Sequence, residues 1–165
     1  MSQLVSELKK CESFKGSVSI VTLTSRKGLC VHEKVKKVES VTLQNEKCEE
    51  LTEKGNCPYN DQGLTDILTD NVLQSPIDIE ELGNLANRMQ ICGYFAARKA
   101  AAEADIIVAP YQTILSEATR SSVGISLFNK VLVFDEAHNI METVSSLNTV
   151  RMSYSNFFLA YTQVK

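Results

Sequence analysis

Apolar residues at the start of the chain recur at helical spacing. Leu4, Val5 and Leu8 fall on one side of MSQLVSELKK, which predicts an amphipathic helix over 2–11. A turn at Lys15-Gly16 leads into SVSIVTL, 17–23, whose alternating and β-branched residues predict a strand. The pattern then breaks: residues 24–60 are rich in Lys and Glu, hold three cysteines and offer only short apolar patches. Helical spacing returns in Leu64, Ile67, Leu68, Val72 and Leu73. Ser75-Pro76 reads as the start of a further helix, Ser75 as N-cap and Pro76 in the first position. Ile79, Leu82, Leu85, Ala86 and Met89 supply its apolar face, and an alanine-rich helix is predicted near 93–103.

From residue 104 the pattern changes to short continuous apolar runs. ADIIVAP predicts a buried strand, Pro110 opens the helix PYQTILSEA, Gly124 marks a loop, and KVLVFDE predicts a second buried strand. The tail, 153–165, carries helical spacing in Phe157, Phe158, Leu159 and Tyr161. Val/Ile/Leu runs alternating with helices predict a parallel sheet covered on both faces. The expected class is therefore α/β, with a cysteine-bearing, mostly helical insert between two outer parts that share one sheet.

Composition narrows the reading only modestly. The chain of 165 residues suffices for one domain with a core, and its 44% hydrophobic and 22% charged residues suit a soluble globular protein. A net charge of −3 gives no overall basic signature of nucleic-acid binding, although a local basic groove is compatible with it. No apolar run approaches the roughly 20 residues needed to span a bilayer, so no membrane partner is expected. The N-terminus lacks the apolar centre of a signal peptide. In a reducing, intracellular compartment the five cysteines are expected to be free, catalytic or metal-bound rather than disulfide-bonded.

The densest chemistry lies in VLVFDEAHNI, 131–140. Ligands of open α/β sheets bind at the carboxyl ends of strands, where Asp135 is expected to emerge. A carboxylate there can hold Mg²⁺ through water. Glu136 can orient or deprotonate an attacking water, and His138 can couple the site to another part of the machine. The plain alternative is a helix start favoured by its dipole. VLVFDEAHNI resembles the Walker B, or DEAH, motif of superfamily 2 helicases. With the preceding VAPYQTILSEATRSSVGISLFNK, and with ICGYFAARKA, NCPYN, LTSRKGLC and MSQLVSELKK, the chain resembles the XPD-like iron–sulfur DNA helicases, closest to the chromosome-loss (ChlR) branch. Residues 60–88 match that pattern weakly.

Cys30, Cys48, Cys57 and Cys92 are widely spaced and contain no Cys-x-x-Cys pair, so a zinc ribbon is not indicated. Spacing alone favours buried core cysteines. The resemblance implies instead that these four ligate a [4Fe–4S] cluster, Cys48 being assigned by order. The gap between Cys48 and Cys57 is shorter than the branch pattern, and Gly93 stands where proline is usual. Cys11 has no counterpart in the ligand set and reads as a core residue. Zinc in place of the cluster, or no metal, remains an alternative.

The resemblance also places Ser25, Arg26 and Lys27, in TSRKGLC, near the path of single-stranded DNA, against the alternative of a solvated turn. Lys34, Lys36 and Lys37 read as a solvated helix face. Arg98 and Lys99 are candidates for the same groove. Tyr59, Tyr94 and Phe95 are candidates for base stacking, with packing as the commoner role.

The phosphate-loop pattern G-x-x-x-x-G-K-[ST] is absent: none of the seven glycines precedes lysine. By resemblance, the chain reads as an internal section of a longer protein, beginning after that loop and stopping where an Arch domain would follow. The implied organisation is the N-terminal part of an incomplete RecA-like helicase domain at 1–24, the iron–sulfur insert at 25–103, the RecA-like domain continued with its DEAH box at 104–152, and a helix towards the Arch domain at 153–165. The implied function is 5′-to-3′ unwinding of single-stranded or forked DNA coupled to ATP and Mg²⁺, in a nuclear role in replication, repair or sister-chromatid cohesion, with partners among replication or cohesion proteins. The residues alone are expected to fold marginally and to lack ATPase activity. The alternative is a non-enzymatic iron–sulfur module that binds DNA or a protein partner.

Overall fold

A computed structural model describes residues 2–11, 17–150 and 152–164. The chain divides into two compact units, Met1–Lys130 and Val131–Lys165. The predicted turn at Lys15-Gly16 lies outside the described residues. The first unit runs α1 (Ser2–Lys10), β1 (Ile20–Thr22), α2 (Arg26–Leu29), α3 (Glu33–Lys36), α4 (Val41–Glu53), α5 (Gln62–Gln74), α6 (Ile79–Met89), α7 (Gly93–Ala101), β2 (Ile106–Val108), α8 (Tyr111–Leu115) and α9 (Glu117–Val123). The architecture is mixed α/β, a partial RecA-like sheet with a mostly helical, cysteine-bearing segment.

The two outer parts of this unit share a sheet. Strands β1 and β2 pair in parallel, with Ile20 beside Ile106, Val21 beside Ile107 and Thr22 beside Val108. The register is pinned at the strand entrance. Ser19 donates to the Asp105 carboxylate from its backbone N–H (2.9 Å) and its hydroxyl (2.8 Å), and the Asp105 N–H donates back to the Ser19 hydroxyl oxygen (3.0 Å). A one-residue slip would break all three bonds and turn every side chain to the other face. β1 is buried throughout, whereas β2, expected to be buried, is half-buried. A parallel strand is covered fully only when both faces and both edges have neighbours, and this sheet has two strands among the described residues.

The core is built on the packing of α5 against α7 and β1. Ala96, Ala97, Ala100 and Ala101 give α7 a nearly flat buried face, and Leu68 and Val72 of α5 pack in the same cluster. Thr69, also buried, turns its hydroxyl back to the Thr65 carbonyl at 2.8 Å, so no polar group is stranded there. Full burial of a leucine such as Leu68 stabilises by about 1.5–3 kcal/mol relative to exposure.

The start of α6 differs from the expectation at Ser75-Pro76. Ser75 closes α5, and α6 begins at Ile79 with Asp78 as its N-cap. Asp78 accepts from the Glu81 N–H (2.8 Å), and Glu81 accepts from the Asp78 N–H (3.0 Å). This reciprocal capping box satisfies two donors where a lone serine would satisfy one.

In the second unit, a short 3₁₀ turn at Ala137–Asn139 leads into α10 (Ile140–Leu147), and α11 spans Tyr154–Gln163 with Ser153 capping its start. The predicted strand KVLVFDE is not formed. Residues 131–134 lie outside the sheet and are exposed, Val131 at 90% and Val133 at 88%. An apolar run becomes a strand when a neighbouring strand supplies the ladder. Within this unit, among the described residues, there is none.

Candidate functional site

Local structure brings four cysteines towards one place. Cys30 ends α2, its N–H donating to the Arg26 carbonyl at 2.8 Å. Cys48 lies on the inner face of α4, in one buried cluster with Cys30 and Val35 against Leu51 and Phe95. The end of α4 then reverses: Gly55 takes φ +65°, and the Asn56 N–H reaches the Leu51 carbonyl at 2.8 Å. That left-handed residue, easy only for glycine, sends the chain back so that Cys57 enters the same region. The Tyr59 carbonyl accepts from the Cys92 N–H at 2.8 Å, tying the Cys57 turn to the start of α7.

The electrostatics agree with this convergence. Burial pushes the Cys30 thiol up, and Cys48 and Cys57 are close enough to push it further. Burial pushes Cys92 to about 11, with smaller contributions from Cys30 and Cys48 partly offset by the first-turn amides of Phe95 and Tyr94. All four are free thiols; Cys30, Cys48 and Cys92 are buried and Cys57 half-buried. Buried thiols disfavour the thiolate unless a cation is present, and four cysteine sulfurs have the donor chemistry of an iron–sulfur group. Among the described residues no three such side chains already stand at ligand distance. Loading would therefore have to draw them together. Cys11, half-buried, is also a free thiol.

Beside the sulfurs lies a feature that the sequence does not announce. The buried Tyr94 ring carries two guanidinium groups, Arg26 at 4.2 Å and Arg98 at 3.4 Å from its centroid. Arg26 is 9% exposed and donates to the Asn45 side-chain oxygen of α4 at 2.7 Å, with Glu49 at 3.9 Å. Its Nε is buried without a partner. Of the three candidate DNA residues, Ser25 and Lys27 are exposed and Arg26 is internal. Lys34, Lys36 and Lys37 are exposed, and Lys99 is paired with Asp66 of α5. Tyr94 and Phe95 serve as packing, Tyr94 under the two arginines and Phe95 edge-on to it against the Cys30–Cys48 cluster. Tyr59 meets the His32 ring edge-on. Helical spacing in ICGYFAARKA places Tyr94 and Arg98 on one face at i and i+4. Nothing in the sequence says that Arg26 joins them.

The acidic box belongs to the second unit, where Asp135, Glu136 and His138 are exposed. Glu136 takes φ +53°, a left-handed conformation that costs a side-chain-bearing residue on the order of 1–2 kcal/mol. Its carboxylate lies 3.3 Å from Nδ1 of His138. Strained backbone of this kind collects at functional sites.

Comparison with known proteins adds a consistent result. The DEAD_2 family model matches residues 1–157. The chain is 34% identical over 170 residues to the ATP-dependent DNA helicase chl1 of Schizosaccharomyces pombe, covering 100% of this chain and 20% of that protein. It is 32% identical over 185 residues to the human ATP-dependent DNA helicase DDX11, covering 99% of this chain and 19% of that one. With the CHL1 helicase of Yarrowia lipolytica it shares 35% identity over 159 residues, 91% of this chain and 19% of the relative. The chain thus spans about one fifth of the length of the curated relatives it matches.

Proposed function

Because the chain belongs to the DEAD_2 family, we propose that it is a section of an ATP-dependent DNA helicase, residues 25–103 forming an iron–sulfur insert and Asp135–His138 the metal-and-water half of the nucleotide site. The observation that carries this reading is the family match across residues 1–157, joined to relatives named as ATP-dependent DNA helicases. The convergence of Cys30, Cys48, Cys57 and Cys92 supports the insert. Residues 1–24 and 104–152 form the RecA-like part in this reading, and 153–165 lead towards a further domain.

In that enzyme Asp135 would hold Mg²⁺ through water, and Glu136 would orient or deprotonate the attacking water. Glu136 lies 3.3 Å from Nδ1 of His138, and His138 would link hydrolysis to motion. The cysteines would hold the [4Fe–4S] cluster, which would cross-link α2, α4, the Cys57 turn and the start of α7. Ser25 and Lys27, exposed at the start of α2, touch the phosphates of single-stranded DNA. Arg26 supports that loop from inside through Asn45. The polarity is 5′ to 3′, and the role is nuclear, in replication, repair or sister-chromatid cohesion.

The test of the cluster is anaerobic production of the chain followed by iron and sulfide analysis. Cys57→Ser should remove iron and Cys11→Ser should retain it; equal loss in both would sink the ligand assignment. One observation favours a second reading for these residues taken alone: they contain no G-x-x-x-x-G-K-[ST] pattern. By themselves they then act as an iron–sulfur module that binds DNA without hydrolysis. Metal-dependent ATP hydrolysis by residues 1–165 would overturn that second reading.

A further inference from the structure

Arg98 is an arginine in an unusual setting. Its guanidinium is half-buried, stacked at 3.4 Å on the buried ring of Tyr94, and shares that ring with a second guanidinium, Arg26. Its polar contacts are long, 3.5 Å to the carbonyls of Thr24 and Tyr94. Among the described residues no carboxylate lies within ion-pair distance of it. Two like charges on one ring, one buried and one half-buried, are costly unless an anion lies nearby. Arg26 has a distant one in Glu49 at 3.9 Å; Arg98 has none.

The groups that could supply the missing negative charge are the cysteines. Arg98 lies on α7, the helix that Cys92 caps, and Tyr94 beneath it meets Phe95, which packs on Cys30 and Cys48. Burial disfavours the charged form of Arg98 most, Tyr94 favours it, Arg26 disfavours it, and Cys92 is near enough to favour it to a smaller degree. A four-thiolate [4Fe–4S]²⁺ group carries a net charge of about −2, which two guanidiniums would balance.

Resting on the cluster reading above, we propose that Arg98, held by its stack on Tyr94, is the internal counter-charge of the four-cysteine centre and sets both its reduction potential and its retention of iron. Reduction adds one electron to the cluster, so a fixed positive charge beside it favours the reduced form, and its removal favours the oxidised form. Arg98 touches no reacting atom; it is a positioning and charge-setting residue.

The experiment compares Arg98→Met and Arg98→Lys with the unaltered chain, produced anaerobically and without nucleic acid. Readouts are iron and sulfide content, iron loss to a chelator, and the midpoint of a redox titration followed by electron paramagnetic resonance. Arg98→Met should shift the reduced-to-oxidised equilibrium about tenfold towards oxidised, a fall of about 59 mV for one electron, and should speed iron loss. Arg98→Lys, which keeps the charge, should show less than half of that shift. If Arg98→Met retains too little iron to titrate, the comparison passes to Arg98→Gln against Arg98→Lys, which differ mainly in charge. An unchanged midpoint in the charge-free variant, or equal shifts in charged and uncharged variants, would overturn the role of Arg98 alone. An unaltered chain without iron or sulfide would overturn the cluster reading with it. An effect that emerges only when single-stranded DNA is added would make Arg98 a phosphate contact and overturn the counter-charge.

Discussion

Replacing Gly93 by alanine tests how tightly the start of α7 is seated beside Cys92. A Cβ at this position would lie 3.0 Å from the Ala86 Cβ of α6 and 3.3 Å from the Leu29 carbonyl oxygen. Carbon atoms in ordinary contact sit about 3.5–4.0 Å apart, so something must move by about half an ångström. The carbonyl on the other side is backbone and cannot rotate away. Overpacking of this kind costs about 1–3 kcal/mol, and at the first helical position the change to alanine returns only part of the roughly 0.5–1 kcal/mol seen mid-helix. The net expectation for Gly93→Ala is a loss of about 1–2 kcal/mol, read as a fall in Tm of roughly 2–8 °C. The discriminating experiment is the double-mutant cycle with Ala86→Gly. That change alone should cost about 1 kcal/mol in helix propensity, but it opens the space that the new Cβ needs. The pair should therefore be less destabilised than the sum by about 1 kcal/mol, in urea unfolding followed by circular dichroism under one metal condition. Additivity within about 0.5 kcal/mol, or a Gly93→Ala variant more stable than the parent, would refute the contact.

Other perturbations probe the remaining parts of the frame. Asp78→Ala removes the capping box of α6 and should cost about 1 kcal/mol in urea unfolding; no change would show that Ser75-Pro76 sets the helix start after all. Leu68→Ala, fully buried between α5 and its neighbours, should cost about 2–5 kcal/mol, with the unfolding midpoint as readout. Asp105 tests pH linkage. Hydrogen bonds from the Ser19 N–H and hydroxyl hold its carboxyl below the usual carboxylate range, so its contribution is fully present above the ordinary aspartate value and is lost as pH falls through the lower folded value. The stability gap between parent and Asp105→Ala should be present at pH 7 and shrink on acidification below about pH 4; a gap that stays constant down to pH 2 would refute the linkage.

Local pattern made the two paired strands legible, because IVT and IIV are short β-branched runs, each preceded by a polar residue, Ser19 and Asp105. The same logic failed for VLVF: a continuous apolar run states that a segment wants cover, not that a neighbouring strand is there to pair with it. Asp78 and Glu81 outweighed Ser75-Pro76 because a reciprocal cap satisfies more donors than a single hydroxyl, a difference visible in the sequence but outranked there by the proline signal. The approach of Cys57 to Cys30 depends on the local left-handed turn at Gly55 and on the Tyr59–Cys92 hydrogen bond, a contact between segments far apart in the chain. The Arg26–Tyr94–Arg98 stack was half legible, since i,i+4 spacing predicts one arginine on the ring and only tertiary structure supplies the other.

The pairing of β1 with β2 also orders events in time. Everything from Leu23 to Asp105 lies between the two strands, so the ladder closes a long loop, and its entropy must be met before the bonds reward it. The contacts of α5 with α7 span far fewer residues and can assemble first. A ribosome releases β1 well before β2 emerges, leaving Ile20 and Val21 without their strand partner until the intervening helices have collapsed. If the intervening cysteines hold a metal as proposed, its capture would shorten that wait and tie cofactor supply to how often the nascent chain reaches its sheet.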